Sequence, residues 1–384
     1  MERIYLDHAA TTPARAEVIA AMVPLLGAGS YNPSSLYGEG RAARAALDAA
    51  RATVASVLGA KPREIVFTSG GSESNALAIV GAAQASGARG KHVISSAIEH
   101  HAVLQTLAVL EAEGWSITRL PVDSDGRVSV DAFRAALRAD TTLATIMLAN
   151  NEIGTIQPVA ELAAIARSRG VIFHTDATQA PGQLLLDVDL LGIDLMTISA
   201  HKFSGPKGVG ALYVRTGTPL APQIVGGGQE HGLRAGTENV AGIVGLATAL
   251  LLAHVERPEA APRIEGLRDR LESGIMTAIP AARVNARGVA RLPNNLSIAF
   301  EGVLADALLI RLDLEGVAAS AGSACAAGSL EPSHVMEALC LPEAFRSGVI
   351  RFSLGRATTE DEIDRVVGLL PDLVAANRGT VAQV

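Results

Sequence analysis

Lys202 is one of only four lysines in the 384-residue chain, the others being Lys61, Lys91 and Lys207. It stands in SAHKFSGPKGVG, Ser199 to Gly210, just past the apolar run Leu195 to Ser199. The ends of apolar strands are where α/β proteins build their sites. A lysine there, with Ser199, His201 and Ser204 beside it, can form a Schiff base with an aldehyde cofactor. It can equally be a surface lysine in a Gly-rich loop. The other three have plainer settings. Lys61 precedes Pro62 in a polar turn, Lys91 follows Gly90 at the start of a strand, and Lys207 lies in a Gly-Pro-Lys-Gly turn.

Five further stretches carry chemistry. In Thr68-Ser-Gly-Gly-Ser-Glu-Ser-Asn75 a strand ends in glycines and a helix begins at once, so Gly71 and Ser72 offer free N–H groups to an anion such as a cofactor phosphate. The same residues also make an ordinary capped turn. The motif is neither a Walker loop nor G-x-G-x-x-G, so no nucleotide is implied. Glu99-His100-His101 follows a strand at the same presumed sheet end, and suits either an acid/base or ring-stacking role or simple helix capping. Asp176 closes the apolar strand Val171 to His174, where a carboxylate is costly unless paired. It suits the ring nitrogen of a pyridine cofactor, or a helix N-cap. Cys325 lies among Gly, Ala and Ser with nothing bulky to bury it, so it reads as an exposed nucleophilic thiol. Cys340, between leucines in EALCLPEAF, reads as a structural core cysteine. Arg351 sits inside the apolar strand IRFSLGR, where it acts either as a clamp on a substrate carboxylate or as half of an internal salt bridge.

These residues need a frame to bring them together. From Glu64 to Val214 apolar strands alternate with helices, which predicts a mostly parallel sheet flanked by helices. Unbroken Ile/Val/Leu/Met runs suit strands covered on both faces. A long Ala/Leu helix follows GGGQEHGLRAGTEN and is expected to break at Pro258 and Pro262. The remainder reads as a smaller α+β unit. The expected fold class is therefore α/β, with a large domain over residues 14–255 and a small domain from residues 1–13 and 256–384 that carries the Cys325 loop.

Composition narrows the partners. Hydrophobic residues make up 49% and charged residues 18%, as in a well-buried globular chain. A net charge of −7 argues against nucleic acid or an anionic membrane as the main partner. No run reaches the ~18 uninterrupted apolar residues of a membrane span. MERIYLDHAATTP has no apolar core of signal-peptide length, so a cytoplasmic location is expected. The two cysteines lack metal-ligand spacing.

Taken together, YLDHAATTP, NPSS, FTSGGSESN, EHHAV, NNEIGTIQP, HTDATQAPG, SAHKFSGPKGVG, GGGQEHGLRAGTEN, AGSACAAGSLEPSHV and IRFSLGR resemble, in order and spacing, the group I (NifS/IscS-like) cysteine desulfurases. These are pyridoxal 5'-phosphate (PLP) enzymes of the class V aminotransferase family with fold type I. The resemblance implies that Lys202 holds PLP covalently and shuttles protons. It places Asp176 at the pyridine nitrogen, Gln179 at the ring hydroxyl with Asn151 on the same side, and His100 on the ring face. Gly71, Ser72, Ser199 and His201 would hold the phosphate. Thr237 would reach the phosphate of the other subunit's cofactor, which implies a homodimer with shared sites. Arg351, with Asn32 nearby, would bind the carboxylate of L-cysteine. Cys325 would take the sulfur as a persulfide, leave alanine, and deliver the sulfur to an acceptor such as an iron–sulfur scaffold protein. A selenocysteine lyase or related PLP enzyme is the alternative within the family. Ser204, Ala326 and Ala327 depart from common family residues at positions without an assigned role.

Overall fold

The computed structural model describes residues 3–27, 29–322 and 333–381. The strands are β1 (Ile4–Tyr5), β2 (Ile65–Thr68), β3 (His92–Ser96), β4 (Ser116–Leu120), β5 (Thr141–Thr145), β6 (Ile172–Asp176), β7 (Leu195–Ser199), β8 (Gly210–Val214), β9 (Ala282–Val284), β10 (Asn295–Phe300), β11 (Val317–Ala318) and β12 (Val349–Ser353). The helices are α1 (Ala16–Leu26), α2 (Gly38–Leu58), α3 (Gly71–Ser86), α4 (His101–Ala112), α5 (Val130–Ala136), α6 (Val159–Ser168), α7 (Val188–Leu191), α8 (Val240–Ala278), α9 (Ala305–Leu314), α10 (His334–Ala338), α11 (Glu343–Arg346) and α12 (Glu360–Val381).

The alternating strands and helices build one seven-stranded sheet in the order β2-β8-β7-β6-β5-β3-β4. Only β8 runs against its neighbours β2 and β7, and the other pairings are parallel. The continuous apolar strands are covered on both faces as expected: all five residues of β3, β5 and β7 are buried. Strand β5 ends at Thr145, short of the end of its apolar run at Leu148. Its apolar tail still follows β6, since Ile146 N and Leu148 N donate to His174 O and Asp176 O. That extension carries the chain to the tip of β6, where the site lies.

The second unit centres on the antiparallel sheet β12-β10-β9. Ile4 and Leu6 join its apolar cluster with Ile264, Leu271, Ile298, Phe352 and Ile363, so the first residues pack against the last third of the chain. Strand β1 pairs in parallel with β11, and Asp7 bridges to Ser353.

The expected break at Pro258 and Pro262 does not occur. α8 runs unbroken from Val240 to Ala278 with both prolines inside. Both are exposed and four residues apart, so the carbonyls that lose a helical partner face water on one side. Buried residues from Val240 to Leu250 and from Ala261 to Ile275 hold the helix on either side of a more exposed middle. The helix is long and apolar enough to cross a membrane, but half of its apolar window is buried inside the fold. Cys340 also departs from its reading. It is exposed, with φ of 51°, while its neighbours Leu339 and Leu341 take the core positions. The left-handed turn after α10 points the Cys340 thiol out between two buried leucines.

Candidate active site

The chain turns from strand to helix or loop at the tips of β2, β3, β6 and β7, and these four turns face one cavity of about 250 Å³. Gly71 and Ser72 line it from β2–α3, His100 from β3–α4, Asp176 and Gln179 from the end of β6, and Ser199, His201 and Lys202 from the end of β7. Asn151 and Arg351 complete the wall. Asn32 and Thr237 do not line it. Both are exposed, and the Asn32 carboxamide accepts from Ser34 N instead. Cys325 lies outside the described residues.

Lys202 sits at the end of a short 3-10 turn that follows β7 directly. Its Nζ donates to Ala9 O at 2.6 Å and Ala10 O at 2.8 Å. Gln179 Nε2 donates to the same Ala9 carbonyl at 3.0 Å. His201 Nδ1 meets Thr11 Oγ1 at 3.1 Å, and Thr12 Oγ1 donates to His201 O. Residues 9–12 therefore form one wall of the site. No charged side chain in AATT signals this role, because the contacts are made by backbone carbonyls and hydroxyls.

At the cradle, Gly70 has φ of 157°, where side chains are rarely tolerated, and α3 begins at Gly71. A Cβ on Gly71 would lie 3.2 Å from Thr178 Oγ1 and 3.4 Å from Ser199 Cβ, so the backbone approaches these groups closely. The open N–H groups of the first turn and the helix dipole suit an anion. Burial, with the charges of Lys202 and Lys207, pushes His201 down to about 4, so it stands there as a neutral imidazole.

Asp176 is 7% exposed. Its Oδ2 accepts from Asn75 Nδ2 at 2.7 Å and its Oδ1 from Thr178 N at 2.9 Å. Among the described residues no ion pair is made to this carboxylate. His174, one turn of the pleat behind it, is buried between Thr145 and Thr197 and pushed by burial to about 4, so it brings no positive charge. Asn75 is a positioning residue whose role was hidden in FTSGGSESN: only the fold shows that position 75 on α3 faces the end of β6.

His100 caps α4, its Nδ1 accepting from Ala102 N at 3.1 Å. That bond puts the ring proton on Nε2 in the neutral form. Burial lowers its pKa despite the Asp176 carboxylate, and Lys202, His101 and His334 act in the same direction as burial. Arg351 is 2% exposed. Nη2 pairs with Asp7 Oδ1 at 2.7 Å, and Nη1 donates to Asn151 O at 2.9 Å and Gly322 O at 2.6 Å. The internal salt bridge is thus present, with Asp7 as a partner that sequence reading did not name. Nε is buried and has no hydrogen-bond partner among the described residues.

PLP presents an aldehyde, a ring nitrogen, a ring face and a phosphate to the residues that would hold it. The cavity combines a lysine amine, a buried carboxylate with no ion pair among the described residues, a neutral imidazole and a helix N-terminus that begins at a pair of glycines. Each matches one part of the cofactor: aldehyde, ring nitrogen, ring face and phosphate. The residues fit the group.

The chain belongs to the aminotransferase class-V family, whose model matches residues 4–366. Enzymes of this family depend on PLP. Within it, the chain is 49% identical over 371 residues to a cysteine desulfurase IscS of Dictyoglomus turgidum, covering 97% of this chain and 94% of that one. It is also 49% identical to a cysteine desulfurase IscS of Methanosarcina thermophila, with 97% and 92% covered. Among solved structures, a NifS-like protein superposes with a TM-score of 0.91 at 37% identity, covering 97% of this chain and all of that one. A structure described as SspA in complex with cysteine gives 0.82 at 38%, covering 93% and 100%.

Proposed function

We propose that this chain is a PLP-dependent cysteine desulfurase that converts L-cysteine to L-alanine and keeps the sulfur as a persulfide on Cys325. The observation that carries the reading is Asp176, a buried carboxylate without an ion pair among the described residues, facing the same cavity as Lys202. When bound, the cofactor supplies an aldehyde for amine capture and a protonated ring that draws electrons from the substrate. The protein's residues do the rest. Asp176, oriented by Asn75 and Thr178 N, holds a proton on the ring nitrogen. Gly71 and Ser72 hold the phosphate at the α3 N-terminus with neutral His201 and Ser199. Lys202, whose Nζ is positioned by the Ala9 and Ala10 carbonyls, would hold the cofactor through its aldehyde and would carry the proton at that nitrogen. His100 covers the ring and presents its Nε2 proton. Arg351 takes the substrate carboxylate with Nε and whatever the Asp7 pair releases.

Cysteine plus the Cys325 thiol gives alanine plus a Cys325 persulfide, so the transfer needs no external oxidant. Delivery to a sulfur-acceptor protein such as an iron–sulfur scaffold follows. We place the site in a homodimer, with Thr237 on an exposed loop reaching the partner's cofactor phosphate. The test is quantitation of alanine and sulfide from cysteine with a thiol reductant. The wild type should form both in equal amounts. Cys325→Ala should keep the visible cofactor absorption and release no sulfide, and Lys202→Ala should lose that absorption. Sulfide turnover by Cys325→Ala at the wild-type rate would overturn the role of Cys325.

A further inference from the structure

The segment GGGQEHGLRAGTEN holds more than Thr237. Glu230 and His231 have φ of 45° and 60°, a left-handed pair of non-glycine residues. Such conformations are strained and persist only when the surroundings over-determine them. Glu230 is 5% exposed and takes both ends of the Arg51 guanidinium, at 2.7 and 2.6 Å, together with Phe67 N at 2.8 Å. Arg51 also donates to Ile65 O. The loop is therefore fastened to β2, the strand that leads into the cofactor cradle.

Four residues on, the same loop meets the cradle directly. Glu73, in the first turn of α3, accepts from Arg234 Nε through Oε1 at 2.8 Å and from Ser69 N through Oε2 at 2.8 Å. Both side chains are mostly buried, at 17% and 23% exposed. Glu73 lines an opening that adjoins the cofactor cavity and shares Gly71, Ser72, Ser199 and His201 with it. A carboxylate thus shares one helix N-terminus with the place for a phosphate. The dipole of that terminus favours either anion, but the two anions repel each other. Burial alone would raise the pKa of Glu73, yet the bonds from Arg234 and Ser69 bring it below its ordinary value, so it is charged at neutral pH.

We propose that Arg234 is a positioning residue for the cofactor phosphate: it cancels the charge of Glu73 so that the α3 N-terminus accepts a second anion, and it leaves Glu73 free to fix the Ser69 amide. This rests on the PLP reading of the cavity. Without Arg234, an uncompensated Glu73 would face the phosphate at the shared helix end. Lys207, which lines the same opening, is exposed and screened by water.

The experiment is reconstitution of cofactor-free protein with PLP, read by the visible absorption of the bound cofactor, with pyridoxal as a phosphate-free probe. Arg234→Met should weaken PLP binding about tenfold, within the range for a charge at a helix end, and leave pyridoxal binding within about twofold. Adding Glu73→Gln to Arg234→Met should restore PLP binding to within about twofold of wild type, because the carboxamide still accepts from Ser69. Arg234→Lys, which keeps the charge and protects against a folding defect, should bind PLP nearly as wild type does. Wild-type affinity in Arg234→Met, or failure of the double variant to recover when Arg234→Lys folds and binds normally, would overturn the proposal. Equal weakening for PLP and pyridoxal would also overturn it, since that marks a distorted pocket and not a charge effect. Failure of the wild type to bind PLP at all would instead remove the underlying cofactor reading.

Discussion

Arg351 shows why a single residue can carry two readings. A guanidinium in an apolar strand has to be satisfied by something, and sequence alone left a substrate carboxylate and an internal acid equally open. The structure supplies Asp7, two carbonyls and one unpartnered nitrogen, so the side chain is held in place with donor capacity left over. Arg351→Lys keeps the charge and loses the fork geometry. Steady-state kinetics should show KM for cysteine up about tenfold, with a smaller change in kcat, as expected for lost ground-state binding. An unchanged KM would leave Arg351 with a structural role only. For Asp176→Asn the reverse pattern is expected. The cofactor should still attach at Lys202, while kcat drops on the order of 100-fold because a preorganised charge at the ring nitrogen is gone. The residues legible by type were those in which scarcity or cost marks a position: Lys202, Asp176 and Arg351. Asn75 and Asp7 were not legible, because an asparagine or aspartate in a polar motif has many ordinary uses.

At the scale of elements, each site residue lies where a strand tip meets a turn, and the N-terminal segment closes the ring. Residues 7–12 touch Arg351 through the Asp7 carboxylate, and Gln179, His201, Lys202 and Ser204 through carbonyls and hydroxyls. Asp7→Ala should therefore do more than remove a surface charge. It leaves Arg351 buried and short of its only carboxylate among the described residues, which costs about 3 kcal/mol or more. The urea midpoint should fall accordingly, and a midpoint unchanged from wild type would mean that the two carbonyls satisfy Arg351 alone. Helix α8 carries a second lesson at this scale. Proline is a reliable breaker only where packing is indifferent. Here burial of the two flanking stretches, up to Leu250 and from Ala261 on, outweighs two missing hydrogen bonds on the exposed side.

For the whole molecule, four titratable groups, His174 and Glu99 buried and His8 and His201 half-buried, set a window of stability. Burial pushes His8, His174 and His201 down to about 4 from an ordinary 6.5. As pH falls from 6.5 towards 4 the unfolded chain takes up protons that the native state refuses, so stability is lost on the acid side. Glu99, fully buried, is pushed up to about 8 from 4.5 by burial, against hydrogen bonds from Ser96 and Met147 N. Between those values the native state keeps a proton that the unfolded chain has released, so stability falls as pH rises through about 8. Urea midpoints measured from pH 4.5 to 9 should trace a dome. Glu99→Gln should flatten the alkaline limb and leave the acid limb in place. An alkaline limb that persists in that variant would assign it to another group.

The amino-acid sequence by itself determined the α/β class, the mostly parallel sheet and, by local chemistry or by the family resemblance, ten of the residues that line the cavity. It could do so because those features are written locally, in apolar runs, in glycines at strand-to-helix turns and in charges placed where burial makes them costly. Tertiary structure alone decided which partner each group has. Asp7 lies far from Arg351 in sequence, Ala9 far from Lys202, Asn75 far from Asp176 and Glu230 far from Arg51. It also decided that α8 continues through two prolines and that Cys340 faces outward between two buried leucines. No local pattern specifies these pairings, because a hydrogen bond across the sheet depends on register and on which faces pack, and these are fixed only when the whole chain has closed around its core.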